Sequence, residues 1–166
     1  MKIKYSQYWR KSGIKGKWGN IYLHRLNIHK PQNFLEIGVF CGVTALNTCQ
    51  FLSSINNKKF NYTGIDLFGK DKNTNINEIE PNFLKDQKFS NPLKNLYYNI
   101  ILKEKLNSIE SVSKLLKKYE NNINLIQGDT NTVLKKINLS KFDFVFVDGG
   151  HSYMTVKNDL DLLFKS

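Results

Sequence analysis

Glu36, Gly38 and Gly42 stand where an apolar run, Phe34-Leu35-Glu36-Ile37, gives way to Ala45, Leu46, Cys49 and Leu52 at helical spacing. A strand that turns through glycines into a helix is the junction where open α/β sheets bind ligands. A dinucleotide loop would read Gly-x-Gly-x-x-Gly, with a pyrophosphate on the helix N-terminus. Here Phe40 stands between the glycines and a carboxylate precedes them. About 4 Å from a phosphate charge, that carboxylate would cost roughly 4 kcal/mol at an effective dielectric near 20. It favours a ligand bearing an ammonium group instead. Asp66 closes a second run, Tyr62-Thr63-Gly64-Ile65, 24 residues after Gly42, near where a nucleoside site places a carboxylate for ribose hydroxyls. Gly128-Asp129-Thr130 ends a third apolar run, and Asp148-Gly149-Gly150-His151-Ser152-Tyr153 ends a fourth. Asp129 is a helix N-cap or a ligand contact, and the two roles are compatible. His151 has the near-neutral side chain suited to a general base, or it is a turn residue ahead of the next helix.

These residues need four strands to carry them. The runs at 34–37, 62–68, 123–127 and 142–147 supply them, and the last is densely β-branched and aromatic. Helical spacing follows the first and the fourth. Asn107 with Glu110 forms a capping pattern ahead of Ile109, Val112, Leu115, Leu116 and Tyr119, and residues 93–106 read as mainly helical. Val133, Leu134 and Ile137 make a short amphipathic helix. Tyr153, Val156, Leu160 and Leu163 define one face of the last helix. Residues 1–33 form a basic, aromatic segment. There Gly13, Gly16 and Gly19 break any long helix into short pieces or turns packed over the ligand mouth. Residues 34–166 form the α/β domain, interrupted by a polar loop at 69–92.

Composition narrows the class. The chain has 166 residues, 40% of them hydrophobic and 13% aromatic, enough for one domain with a real core. No segment approaches the roughly 20 apolar residues of a membrane span, and the start lacks a signal-peptide hydrophobic region. A cytoplasmic protein with no membrane partner is the expectation. Cys41 and Cys49 make neither a disulfide framework nor a metal cluster and fit as small core residues. The formal net charge of +11 raises nucleic acid as a partner, because Lys and Arg crowd the segment before Glu36. A composition rich in Lys, Asn and Ile throughout is the plainer reading.

The set Glu36-Ile37-Gly38, Gly42, Ile65-Asp66, Gly128-Asp129 and Val147 to Tyr153 resembles class I S-adenosylmethionine-dependent methyltransferases. The Asp-Gly-x-His-x-Tyr ending resembles their branch of macrocin O-methyltransferase and cephalosporin-hydroxylase-like proteins. That resemblance implies a Rossmann-like, doubly wound, mostly parallel sheet in the order 3-2-1-4, truncated after the fourth strand and its helix. It implies that Glu36, Gly38, Val39, Phe40, Gly42 and Thr44 line the methionine part of the cofactor. Asp66 and Leu67 lie at its ribose, and Gly128, Asp129 and Thr130 at its adenine. Asp148 lies beside the transferring methyl and, in metal-dependent relatives, ligates Mg²⁺. His151 is the general base for a hydroxyl of a small, sugar-like acceptor. The acidic pair that completes the metal site in such relatives has no counterpart here, and the fourth strand becomes an exposed edge open to a second copy. Two other readings stand beside this one. One is a non-catalytic nucleoside-binding or assembly module. The other is a nucleic-acid methyltransferase, although the Asn/Asp-Pro-Pro-aromatic motif of base methylation is missing.

Overall fold

In the first strand, β1 (Asn33–Ile37), every residue after Asn33 is buried, so the run is nearly continuous in apolar character and belongs mid-sheet. A computed structural model describes residues 4–69, 83, 86–150 and 152–165. β1 has β2 (Asn61–Asp66) on one side and β4 (Phe144–Val147) on the other, both parallel to it. β3 (Ile123–Gln127) pairs parallel with β2, which gives the expected order β3-β2-β1-β4. Side chains lock the strand entries. The Asp143 carboxylate accepts hydrogen bonds from the Gln32 and Asn33 amides at 2.9 and 3.0 Å, fastening the start of β4 to the start of β1. Asn122 donates to the Phe60 carbonyl at 2.8 Å and does the same for β3 and β2.

Alternation along β1 divides the core into two layers. Phe34 faces a cluster with Tyr22, Leu26, Cys49, Leu52, Tyr62, Val112 and Leu116. Apart from Tyr62 of β2, these come from α1 (Gly16–His29), α2 (Val43–Ile55) and the helix Ile109–Leu115 with its C-cap Leu116. Leu35 and Ile37 face Ile65, Leu134, Val145, Val147, Leu162 and Leu163 on the other side. That layer holds the short helix Thr130–Val133 and the last helix, Tyr153–Phe164. Pro92–Asn95 is α3, Ile109–Leu115 is α4, Thr130–Val133 is α5 and Tyr153–Phe164 is α6. Helices cover both faces of a parallel sheet, the doubly wound α/β arrangement.

Several local expectations are corrected. The glycines of residues 1–33 do not prevent a long helix: α1 runs 14 residues. Gly16 opens it, and Gly19 lies inside it because the Tyr5 ring occupies that spot, so an added Cβ would stand 2.3 Å from the ring. The N-terminal segment is thereby part of the core, with Tyr5 buried beside α2. Ser108, not Asn107, caps α4, accepting from the Ser111 amide at 3.2 Å. The stretch 93–106 is helical only to Ile101, its second half as a π-helical turn, Leu96–Ile101. The inward face of α6 is Thr155 and Asp159 with Leu162 and Leu163, while Tyr153 is 77% exposed. Cys41 and Cys49 are free and buried, as expected. Most of the polar loop, residues 70–82, 84 and 85, lies outside the described residues, as does His151.

Candidate functional site

The strand ends are held flush by bonds that continue the ladder past the sheet. The Gly38 amide donates to Ile65 O at 2.9 Å, Asp148 to Ile37 O at 2.8 Å and Gly128 to Asp66 O at 3.0 Å. Asp66, Asp129 and Asp148 therefore stand along one edge, beyond the carboxyl ends of β2, β3 and β4. Gly38 has φ +90°, and a Cβ there would meet the Asp148 carbonyl oxygen at 2.4 Å, so only glycine lets the end of β4 cross the turn. Gly42 has φ +76°, caps α2 and fits closely under Val112 and Leu115 of α4.

Between the glycines, Phe40 adopts φ +54°, a conformation costly for a residue with a Cβ. Asp66 holds it there. Its Oδ2 accepts from the Phe40 amide at 2.8 Å, and its Oδ1 from the Phe68 amide at 2.7 Å; Phe68 also has positive φ, +49°. One carboxylate thus fastens two strained turns. Burial pushes its pKa up while these amides pull it down. Asp66 stays partly exposed, and each oxygen keeps a lone pair for a hydroxyl donor.

Glu36 is wholly buried on the α1–α2 face. Its Oε2 accepts from the Tyr62 hydroxyl at 2.6 Å, and its Oε1 has no partner. Around it, the Tyr5 hydroxyl bonds to Thr44 at 2.8 Å and Ser12 at 3.3 Å, and the Tyr22 hydroxyl bonds to Thr48 at 2.5 Å. Burial lifts the Glu36 carboxyl to about 8, so it is mainly protonated at neutral pH. This corrects the electrostatic argument from sequence: Glu36 is no fixed negative charge at the mouth but part of a neutral hydroxyl network behind the turn. The selection against phosphate passes to the other carboxylates, Asp66, Asp129 and Asp148, which suit hydroxyl and ammonium donors.

The remaining candidates sort by position. Asp129 caps α5, accepting from the Asn131 amide at 2.9 Å, and stays partly exposed with Gly128 and Thr130. Leu67 is partly exposed beside Asp66, whereas Val39 is buried in the core. Thr44 is buried with its hydroxyl bonded to Tyr5. Asp148 is exposed, and the N-terminal segment reaches it: a Cβ on Gly13 would lie 3.4 Å from its Oδ2. Sequence reasoning missed Tyr5, Ser12, Gly13 and Tyr62 as members of this neighbourhood, and only the clustering of aromatics before Glu36 hinted at them. Burial lifts the Cys41 thiol to about 12, which makes it inert. Among the described residues no group of three or more His, Cys, Asp or Glu could hold a metal ion. The described residues thus supply no such cluster for the Mg²⁺ that the resemblance implied.

A parallel α/β sheet with a glycine turn at the carboxyl ends of its strands is a scaffold on which many enzymes bind nucleosides. Residues 35–166 match the methyltransferase domain family, and the chain belongs to that family. The SAH-bound Podospora anserina methyltransferase PaMTH1 superposes with a TM-score of 0.51 at 20% identity, over 90% of this chain and 48% of its own. The calicheamicin methyltransferase CalS11 gives 0.51 at 14% identity, over 87% and 57%. A Staphylococcus aureus structure named as a caffeoyl-CoA O-methyltransferase gives 0.50 at 16%, over 86% and 48%. The chain spans about half the length of these structures, and the likeness is one of fold. No curated protein sequence matches it.

Proposed function

We propose that the domain binds S-adenosylmethionine and serves methyl transfer to a hydroxyl of a small, sugar-like acceptor, within the branch marked by the Asp-Gly-x-His-x-Tyr ending. The observation that carries this reading is the glycine turn, crossed by the end of β4 and fastened by Asp66, in a chain of the methyltransferase domain family. Asp66 accepts the ribose hydroxyls through its free lone pairs, Asp129 lies at the adenine side, and Gly38 to Phe40 lend backbone to the methionine part. The bound cofactor supplies an electrophilic methyl carbon on a sulfonium. His151, three residues after Asp148 in the sequence, takes the acceptor proton, and Asp148 orients the acceptor at the strand end.

Two measurements test it. Calorimetry should show S-adenosylmethionine and its demethylated product binding and NAD not; NAD binding tighter than either overturns the assignment. In a labelled-methyl assay over hydroxylated acceptors, His151→Ala should lose about 10²–10⁴-fold in rate with cofactor affinity little changed. A second reading, nucleoside binding without transfer, would use the same strand-end carboxylates of Asp66 and Asp129. Tight cofactor binding with no turnover on any acceptor would select it.

A further inference from the structure

The helix that starts at Pro92 carries its apolar stripe outward. Leu93, Leu96, Tyr97, Ile100 and Ile101 recur at the spacing of a core-facing helix. Yet Leu93, Ile100 and Ile101 are 66%, 62% and 63% exposed, and Leu96, Tyr97 and Leu102 are exposed too. The polar residues do the anchoring instead. Asn95 donates to the Phe89 carbonyl and accepts from its amide, both at 2.7 Å. Asn99 donates to the Gln87 carbonyl at 3.1 Å and accepts from its side chain at 2.7 Å. Tyr98 turns inward and stacks on Phe89, and Trp9 extends the outer surface from its contact with Tyr97, ring centres 5.3 Å apart. The border is basic. Lys88, Lys103 and Lys105 are exposed, and Lys94 lies over the Trp9 ring at 5.7 Å. Of the neighbouring acids, Glu104 is turned inward to accept from Ser111, and Asp86 is exposed, against these three exposed lysines.

We infer that this face docks on an anionic membrane surface. An outward stripe of Leu, Ile, Tyr and Trp flanked by lysines is the pattern of an element that lies in the headgroup plane, apolar side down. It needs no spanning segment, so the sequence expectation of no membrane partner, which rested on spans, does not bear on it. A second copy of the chain is the weaker occupant, because each copy brings a net charge of +11 and the same lysine border to the contact. The inference concerns an interaction surface and stands apart from the catalytic reading above.

The test is co-sedimentation of the full 166-residue chain with phosphatidylcholine vesicles, with and without roughly one-third phosphatidylglycerol. Binding should require the anionic lipid and weaken as salt rises. The double variant Ile100→Asp with Ile101→Asp should bind about tenfold or more weakly while keeping the wild-type circular dichroism spectrum. Lys103→Ala with Lys105→Ala should lower binding roughly tenfold. No binding to anionic vesicles overturns the inference. Undiminished binding by the Asp variant also overturns it, since charge alone would then suffice. So does a concentration-dependent dimer in sedimentation equilibrium that the Asp variant abolishes, which would make a second copy the occupant.

Discussion

Asp66 changes its meaning once its partners are known. From sequence it is a strand-end acid waiting for a ribose; in the fold it also accepts the Phe40 and Phe68 amides and keeps both turns at positive φ. Asp66→Ala should therefore cost stability as well as cofactor affinity, about 1–3 kcal/mol for each amide left unpaired. A denaturant melt checks this: unchanged stability would mean that the turns hold without the carboxylate. Glu36 carries a pH dependence of its own. Folding lifts its carboxyl from 4.5 to about 8 by burial, so the native state keeps a proton that the unfolded chain releases. That contribution is fully present below about 4.5 and is lost as pH rises through about 8, on the order of a few kcal/mol in all. Melting temperature should fall over that window in the wild type and less steeply in Glu36→Gln. Equal slopes would remove Glu36 as the cause. The glycine turn was legible because glycine spacing reports backbone conformation directly. The burial of Glu36 was not, because one acid in an apolar strand does not say which hydroxyls will meet it.

Among the elements, the four strands were readable, since near-continuous apolar runs ending in glycine or aspartate have few other uses, whereas their order followed from the family resemblance and not from the pattern. The helices were less so. Gly19 reads as a breaker and is instead the notch for Tyr5, a contact between residues that local propensity cannot see. The stripe from Leu93 to Ile101 reads correctly as helix, but periodicity does not say which side meets the core, and Asn95 and Asn99 decide it. One prediction belongs to the meeting of two elements. Gly38→Ala puts a Cβ 2.4 Å from the backbone of Asp148 at φ +90°, so the end of β4 must lift off β1. The cost should be at least about 2 kcal/mol, whereas Gly13→Ala, with 3.4 Å of room at a flexible carboxylate, should melt like the wild type. Thermal denaturation of the pair checks it, and equal melting temperatures would refute the crossing.

For the whole molecule, the sheet's sequence order matters as much as its geometry. β2 and β3 add outward from β1 in turn, but β4 comes last and must return to the other side of β1. Asn33 and its clamp Asp143 are 110 residues apart. On a ribosome adding about 5–20 residues each second, one margin of β1 waits roughly 5 to 20 seconds for its neighbour to be made. During that wait Leu35 and Ile37, both fully sequestered at the end, have half a lining and a bare row of amides beside them. Among the four described strands, the closing of β4 is then the last pairing to form, and the Asp143 clamp is its latch. Asp143→Ala should quicken unfolding and leave the refolding rate nearly unchanged, as a bond absent from the transition state does. Stopped-flow mixing reads both rates, and slowed refolding would place the latch early. Of these four strands, the one with Asp148 at its tip is thus the last that the nascent chain obtains, so the carboxylates of Asp66, Asp129 and Asp148 line up only once all four are made.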